Sequence, residues 1–220
     1  MLPRVLEPEV MDTADEARDY DAMDHSEVNR RFADNFFTAL PQPTGPILDV
    51  GTGTALIPIE LCRRNEAIII DAIDLAQHML SIAECNIAGS GLSNRIRLHL
   101  VDGKRMPFHD GSFAAVVSNS IIHHIPEPLA CLAEMHRCCR SGGTIFVRDL
   151  LRPQSHAEVE RLLATYAAGA NDHQRSLFDA SLRAALTLDE IRELVALLGY
   201  SAQSVTATSD RHWTWVAVKE

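Results

Sequence analysis

The stretch Pro46-Ile47-Leu48-Asp49-Val50-Gly51-Thr52-Gly53 constrains this chain more than any other. Ile47 to Val50 is a short apolar run of the kind that forms a buried strand. Two glycines one residue apart end it, and Leu56, Ile59, Leu61 and Arg64 then recur at helical spacing. Strand, glycine turn and helix N-terminus in this order predict the opening unit of an α/β sheet. At such a turn backbone N–H groups and a small ligand can approach one another closely.

The rest of the chain extends the alternation. Further strands are expected at Ala67–Ile73, Ile96–Val101, Phe113–Ser118 and Gly143–Arg148, with helices at Ala55–Arg64, Ala76–Ala88 and Pro128–Arg140. Strands that alternate with helices imply parallel pairing through right-handed crossovers, with helices on both faces. Ahead of this core, Asp12-Thr13 can cap a helix through Tyr20. Asp24-His25-Ser26-Glu27 opens a second, in which Val28, Phe32, Phe36 and Leu40 share a face. Pro41, Pro43, Gly45 and Pro46 end it, so residues 1–44 read as an N-terminal helical cap and 45–220 as the main domain.

After Arg148 the rhythm changes. Ser155-His156-Ala157-Glu158 and Thr187-Leu188-Asp189-Glu190 are capping-box patterns. Helices are expected from Ser155 to about Ala170, over Gln174–Ala185, and from Thr187 to Leu198, where Gly199 is the breaker. Ser201–Thr208 and His212–Val218 read as strands joined by a short turn, hence an antiparallel pair. The expected fold is α/β and Rossmann-like: a mostly parallel seven-stranded sheet ending antiparallel, with a helical lid insertion at about 152–186. No internal repeat or low-complexity segment interrupts it.

Composition excludes several classes. At 220 residues, 46% hydrophobic and 23% charged, the chain suits one domain with a substantial core. A net charge of −10 argues against a surface that tracks phosphates, so no nucleic-acid partner is expected. No apolar run reaches bilayer length and the N-terminus lacks a signal-peptide pattern, so a cytoplasmic protein with no membrane partner is expected. The five cysteines have no C-x-x-C spacing and read as reduced thiols. His123, His124, Cys138 and Cys139 have no metal-ligand spacing, and no metal is expected.

The turn does not match a dinucleotide fingerprint, because Leu56 stands at the sixth position where a small residue is required. Its spacing instead resembles the class I S-adenosylmethionine-dependent methyltransferases, and further matches follow in order over residues 45–150. Asp74 ends the second strand in Ala72-Ile73-Asp74-Leu75. Asp102-Gly103 follows the third, Ser118-Asn119-Ser120 closes the fourth, and Gly142-Gly143 introduces the fifth. Within the family the similarity is to small-molecule enzymes that include quinone C-methyltransferases. Two departures stand out: Ala55 replaces the third glycine, and Ala114 stands where this group has Asp.

The resemblance implies S-adenosyl-L-methionine as cofactor, held by Asp49, Gly51, Thr52, Gly53, Asp74, Leu75, Met79, Asp102, Gly103, Asn119 and Tyr20. Asp74 would accept the ribose hydroxyls and Asp102 the adenine amino group. Asp102 can equally cap a turn, Asn119 can satisfy a strand end, and Met79 can be core. His123, after the fourth strand, and His25, on the N-terminal segment, are the candidate catalytic residues, needed only where the acceptor must lose a proton. His124, Arg148, Asp149, His173 and Arg175 are the candidate contacts to a small-molecule methyl acceptor. The sequence allows a homodimer. Two other functions fit the same residues: an enzyme that uses S-adenosylmethionine without methyl transfer, and a non-catalytic cofactor-binding module.

Overall fold

The computed structural model describes residues 2–10 and 12–220. Its elements, in chain order, are α1 (Ala14–Asp21), α2 (Ser26–Ala39), β1 (Ile47–Val50), α3 (Leu56–Arg64), β2 (Ile70–Asp74), α4 (Gln77–Gly89), β3 (Ile96–Leu100) and β4 (Phe113–Asn119). They continue with α5 (Leu129–Cys138), β5 (Cys139–Leu150), α6 (His156–Tyr166), α7 (Asp172–Ala184), α8 (Leu188–Leu197), β6 (Val205–Ser209) and β7 (His212–Val218). The strands form one seven-stranded sheet in the order β3-β2-β1-β4-β5-β7-β6. β1 lies parallel to both β2 and β4, and β2 lies parallel to β3. β6 and β7 pair antiparallel, with Val205 opposite Trp215. No helix among the described residues is long and apolar enough to cross a membrane.

The chain divides into two compact units. One comprises Val10–Asn119, Leu129–Val147 and Val216–Glu220. Its centre is β1, buried at all four residues, as the unbroken apolar run requires of a strand covered on both faces. Phe32 and Phe36 of α2 meet Phe146 of β5 edge to face, at centroid separations of 5.1 and 5.8 Å. Ile59 and Leu61 of α3, Ala83 and Ile87 of α4 and the β-strand aliphatics complete this core. Thr13 and Glu16 form the capping box that starts α1. Asp12 does not cap α1: its carboxylate accepts from the His78 N–H and ring, covering the first turn of α4, whose own N-cap Ala76 cannot.

The other unit comprises Met1–Glu9, Ser120–Pro128 and Arg148–Trp215. Leu150, Val159, Leu162, Leu163, Leu182 and Ala185 form its apolar cluster. Capping boxes start α7 at Asn171 and α8 at Thr187, while Ser155 caps α6 alone. The N-terminal segment is anchored through Arg4, whose guanidinium donates to the carbonyls of His123, Ile125, Pro126 and Ala184.

Candidate functional site

The glycine turn after β1 spends four of its amides within the protein. Gly51 and Gly53 take left-handed φ values of 75° and 55°, open to glycine without cost. The N–H groups of Gly51 and Thr52 both donate to the Ile73 carbonyl at 2.9 Å. Gly53 N–H donates to Asp74 Oδ2 at 2.7 Å, and Ala55 N–H to the Thr52 carbonyl. The amides of Gly51, Thr52, Gly53 and Ala55 are thus occupied within the protein. Ala55, the non-glycine at the third position, is itself left-handed at φ 64°, so the backbone follows the glycine-rich pattern even where the residue does not.

Asp74 holds the turn together. One oxygen takes Gly53 N–H and the other takes Ala76 N–H at 2.9 Å, tying the end of β2 to both neighbouring turns. Leu75 beside it is exposed. Burial raises the Asp74 pKa against the pull of these amides.

What the turn does offer is acceptors. Tyr20, Asn29, Asp49, Gly51, Thr52, Thr54, Leu56, Ile57 and Asn119 line a cleft. Asp49 Oδ2, Asn119 Oδ1 and the Thr54 hydroxyl oxygen are buried there with no hydrogen-bond partner. Such atoms are costly to bury unless something else satisfies them. Burial raises the Asp49 pKa to about 7; the Thr52 hydroxyl opposes the shift and the charge of Asp74 reinforces it. Tyr20 is pushed to about 12, first by burial and then by Asp74, Asp21 and Asp49. Its Cε1 lies 3.7 Å from where a side chain on Gly53 would begin. His25 holds the Tyr20 segment, with its ring 4.5 Å from the Tyr20 ring and Nε2 2.9 Å from the Tyr20 carbonyl oxygen.

Three expected cofactor residues have other work. Asp102 Oδ1 accepts from the Lys104 N–H and lies 3.1 Å from its ammonium, closing a turn. Gly103 is where it is because a Cβ would meet Cys131 Sγ at 3.2 Å and Val50 Cγ1 at 3.3 Å. Met79 is buried with Ala17 and Ala76, against Tyr20 and Ile82. Thr54 and Asn29 join the cleft beyond the residues expected from the sequence. Asn29 is a polar residue beside the Phe32 and Phe36 face of α2, which is the one sequence sign of its place in the cleft.

The other unit holds a separate buried cluster. Asp149, fully buried, accepts from the N–H groups of Ile122, His123 and Leu150, and its Oδ1 lies 2.5 Å from His123 Nδ1. His123 Nε2 in turn lies 3.5 Å from Glu7 Oε1, and His124 Nδ1 lies 3.2 Å from the same oxygen. The two imidazoles stack with centroids 4.2 Å apart. Burial pushes His123 down, but Asp149 outweighs it and the net shift is upward. Burial likewise pushes Asp149 up, and His123 with the Leu150 amide holds it low. Burial lowers His124 to about 3, aided by the adjacent His123, and raises Glu7.

Of the remaining candidates, Arg148 is buried with Nη2 3.4 Å from His212 Nδ1. Asp149 is engaged by His123. Arg175 lies on α7 3.5 Å from Glu160 of α6, and His173 is exposed on α7.

Residues 48–147 match the family model described as a methyltransferase domain. This matched segment, which carries the acidic residues at the ends of β1 and β2, is similar to a methyltransferase domain. Among relatives, the ubiquinone/menaquinone biosynthesis C-methyltransferase UbiE of Geobacter sp. strain M21 is 32% identical over 110 residues, 50% of this chain and 47% of that protein. The phosphatidylethanolamine N-methyltransferase of Cereibacter sphaeroides is 32% identical over 124 residues, 56% of this chain and 60% of that protein. The chain thus spans about half the length of the curated relatives it matches. The plantazolicin methyltransferase BpumL, solved in complex with SAH, has the same fold, with a TM-score of 0.71 at 14% identity over 94% of this chain and 91% of that one.

Proposed function

We propose that this protein is an S-adenosylmethionine-dependent methyltransferase acting on a small molecule. The acceptor-rich, donor-poor glycine turn carries the reading. The amides of Gly51, Thr52, Gly53 and Ala55, already spent within the protein, cannot cradle a pyrophosphate. Buried oxygens without partners, one of them on a carboxyl group, suit a ligand that brings donors and positive charge, and S-adenosylmethionine carries both in its ammonium and sulfonium. The matched family segment covers the same residues, and the solved neighbour with SAH bound supports the same cofactor.

When bound, S-adenosylmethionine supplies an electrophilic methyl group whose activation is its own sulfonium charge. The chain is left with placement and exclusion of water. Asp49 and Asn119 would hold the ammonium of the amino-acid end, with the hydroxyl oxygens of Thr52 and Thr54 as further acceptors. Asp74 keeps the turn in shape and retains lone pairs for nucleoside hydroxyls, since each oxygen accepts one backbone N–H. Tyr20, neutral at any working pH, covers the turn at Gly53. Placement of this kind can lower a two-reactant barrier by about 7–11 kcal/mol at best.

The test is incubation of the protein and S-adenosylmethionine with a panel of quinols, phenols, amines and thiols, read by mass spectrometry. Acceptor-dependent S-adenosylhomocysteine with one methyl gained by the acceptor is expected. Cofactor binding with no product across the panel would favour a binding module.

A further inference from the structure

We propose that Glu7, His123 and His124 form a binding site for a divalent first-row transition-metal ion. Among the described residues, one group of histidine, cysteine and carboxylate side chains brings three ligand atoms within 4.8 Å of one another, and it is this one. His123 Nε2 and His124 Nδ1 lie 3.5 and 3.2 Å from Glu7 Oε1. Ligands bonded to one zinc-sized ion at about 2.0–2.1 Å in a tetrahedron stand about 3.4 Å apart, so these are the spacings of a coordination edge.

The alternative, a hydrogen-bonded pair of histidines on a carboxylate, fits less well. Glu7 Oε1 and His124 Nδ1 are buried, and neither has a partner in hydrogen-bonding geometry despite their closeness. The Glu7 side chain is only 8% exposed and the His123 side chain 3%. Two lone pairs therefore converge in a dry place on a point where a cation would satisfy both.

The surrounding shell has the features of a ligand set. Asp149 holds His123 through Nδ1, which leaves Nε2 as the coordinating atom, the carboxylate–histidine arrangement common behind metal ligands. The His124 ring bonds the Pro8 carbonyl, which fixes its orientation. Three protein ligands leave at least one coordination position for water or a ligand heteroatom, as in catalytic rather than structural sites. Two imidazoles and a carboxylate select ions such as zinc, cobalt, nickel or iron over magnesium and calcium. No linear spacing announces the site, because Glu7 comes from the far N-terminus, and the expectation of no metal searched spacing alone.

The experiment is titration of chelator-stripped protein with Zn²⁺ against a chromophoric competing chelator, followed by Co²⁺ absorption spectroscopy. One equivalent bound, weakened at least tenfold in both Glu7→Gln and His124→Asn, is expected. The Co²⁺ protein should show ligand-field bands without thiolate charge-transfer absorption. Absent binding, or binding unchanged in both variants, would overturn the proposal. Thiolate absorption in the unmodified protein would do so too, by placing the ion on cysteines whether or not the variants fold.

Discussion

Lowering the pH from 7.0 to 5.5 is expected to weaken S-adenosylmethionine binding about 16-fold. The cause is Asp49, whose buried carboxyl titrates at about 7. An ammonium pairs with the carboxylate and not the acid, so apparent affinity scales with the ionised fraction. That fraction is about one half at pH 7.0 and about 0.03 at pH 5.5, a difference of roughly 1.6 kcal/mol. Thr52 and Tyr20 are neutral over this range, and the charge of Asp74 enters through the shift itself. Binding should consequently take up no proton at pH 5.5 and release one, visible as a dependence of the calorimetric heat on the buffer's ionisation enthalpy. The sign for stability runs the other way. A carboxyl raised from 3.8 favours the protonated folded state, so the ligand-free protein should lose stability as pH rises from about 4 to 7. Asp49→Asn should flatten both profiles. Calorimetry across this range decides the matter: affinity that is flat with pH in the unmodified protein, or equally steep in Asp49→Asn, would refute the reasoning.

Other changes have defined costs. Asn119→Ala, which removes a partnerless acceptor from the cleft, should weaken cofactor binding about tenfold with little change in melting temperature, checked by calorimetry and thermal denaturation. Gly143→Ala should destabilise by about 1–3 kcal/mol, because its Cβ would stand 2.8 Å from the Arg140 carbonyl oxygen and 2.9 Å from that of Ala114, backbone atoms that cannot step aside. Denaturant titration would read that loss. Thr187→Ala should cost about 1 kcal/mol by opening the capping box with Glu190 at the start of α8, measurable in the same titration.

Where a single chemical cause governs, the chain could be read closely. β1 and β7 fall where their apolar runs begin and end, and α3 starts one residue inside its expected boundary, because Ala55 is left-handed and stands outside the helix. β2 begins at Ile70 rather than Ala67: Ile68 is buried before the ladder starts, and burial alone looks like a strand in a sequence. β5 begins at Cys139 rather than Gly143 and runs past Arg148 to Leu150, through Asp149, a polar residue that breaks an apolar pattern but is buried by its own partners. β6 is shorter than its alternating run because Ser201 caps a helical turn at Ala202–Ser204.

The site divides in the same way. Asp49, Gly51, Gly53 and Asp74 are adjacent in strand-end motifs and could be found from spacing. Which of their atoms remain available could not, since the hydrogen bonds that spend the turn's amides join residues of β1 and β2 brought together only by the sheet. Asp74 illustrates the consequence: a change there disturbs the turn and the start of α4 as well as any ligand contact. Glu7 lies outside every motif, and only folding sets it against His123 and His124.

The most direct test of the account is a calorimetric titration of the purified protein with S-adenosylmethionine, S-adenosylhomocysteine and NAD. An acceptor-lined turn with spent amides predicts micromolar binding of the first two, both of which bring an ammonium, and no binding of the pyrophosphate-bearing NAD. Binding of NAD alone, or of none of the three, would contradict the claim that this turn holds a nucleoside bearing an ammonium.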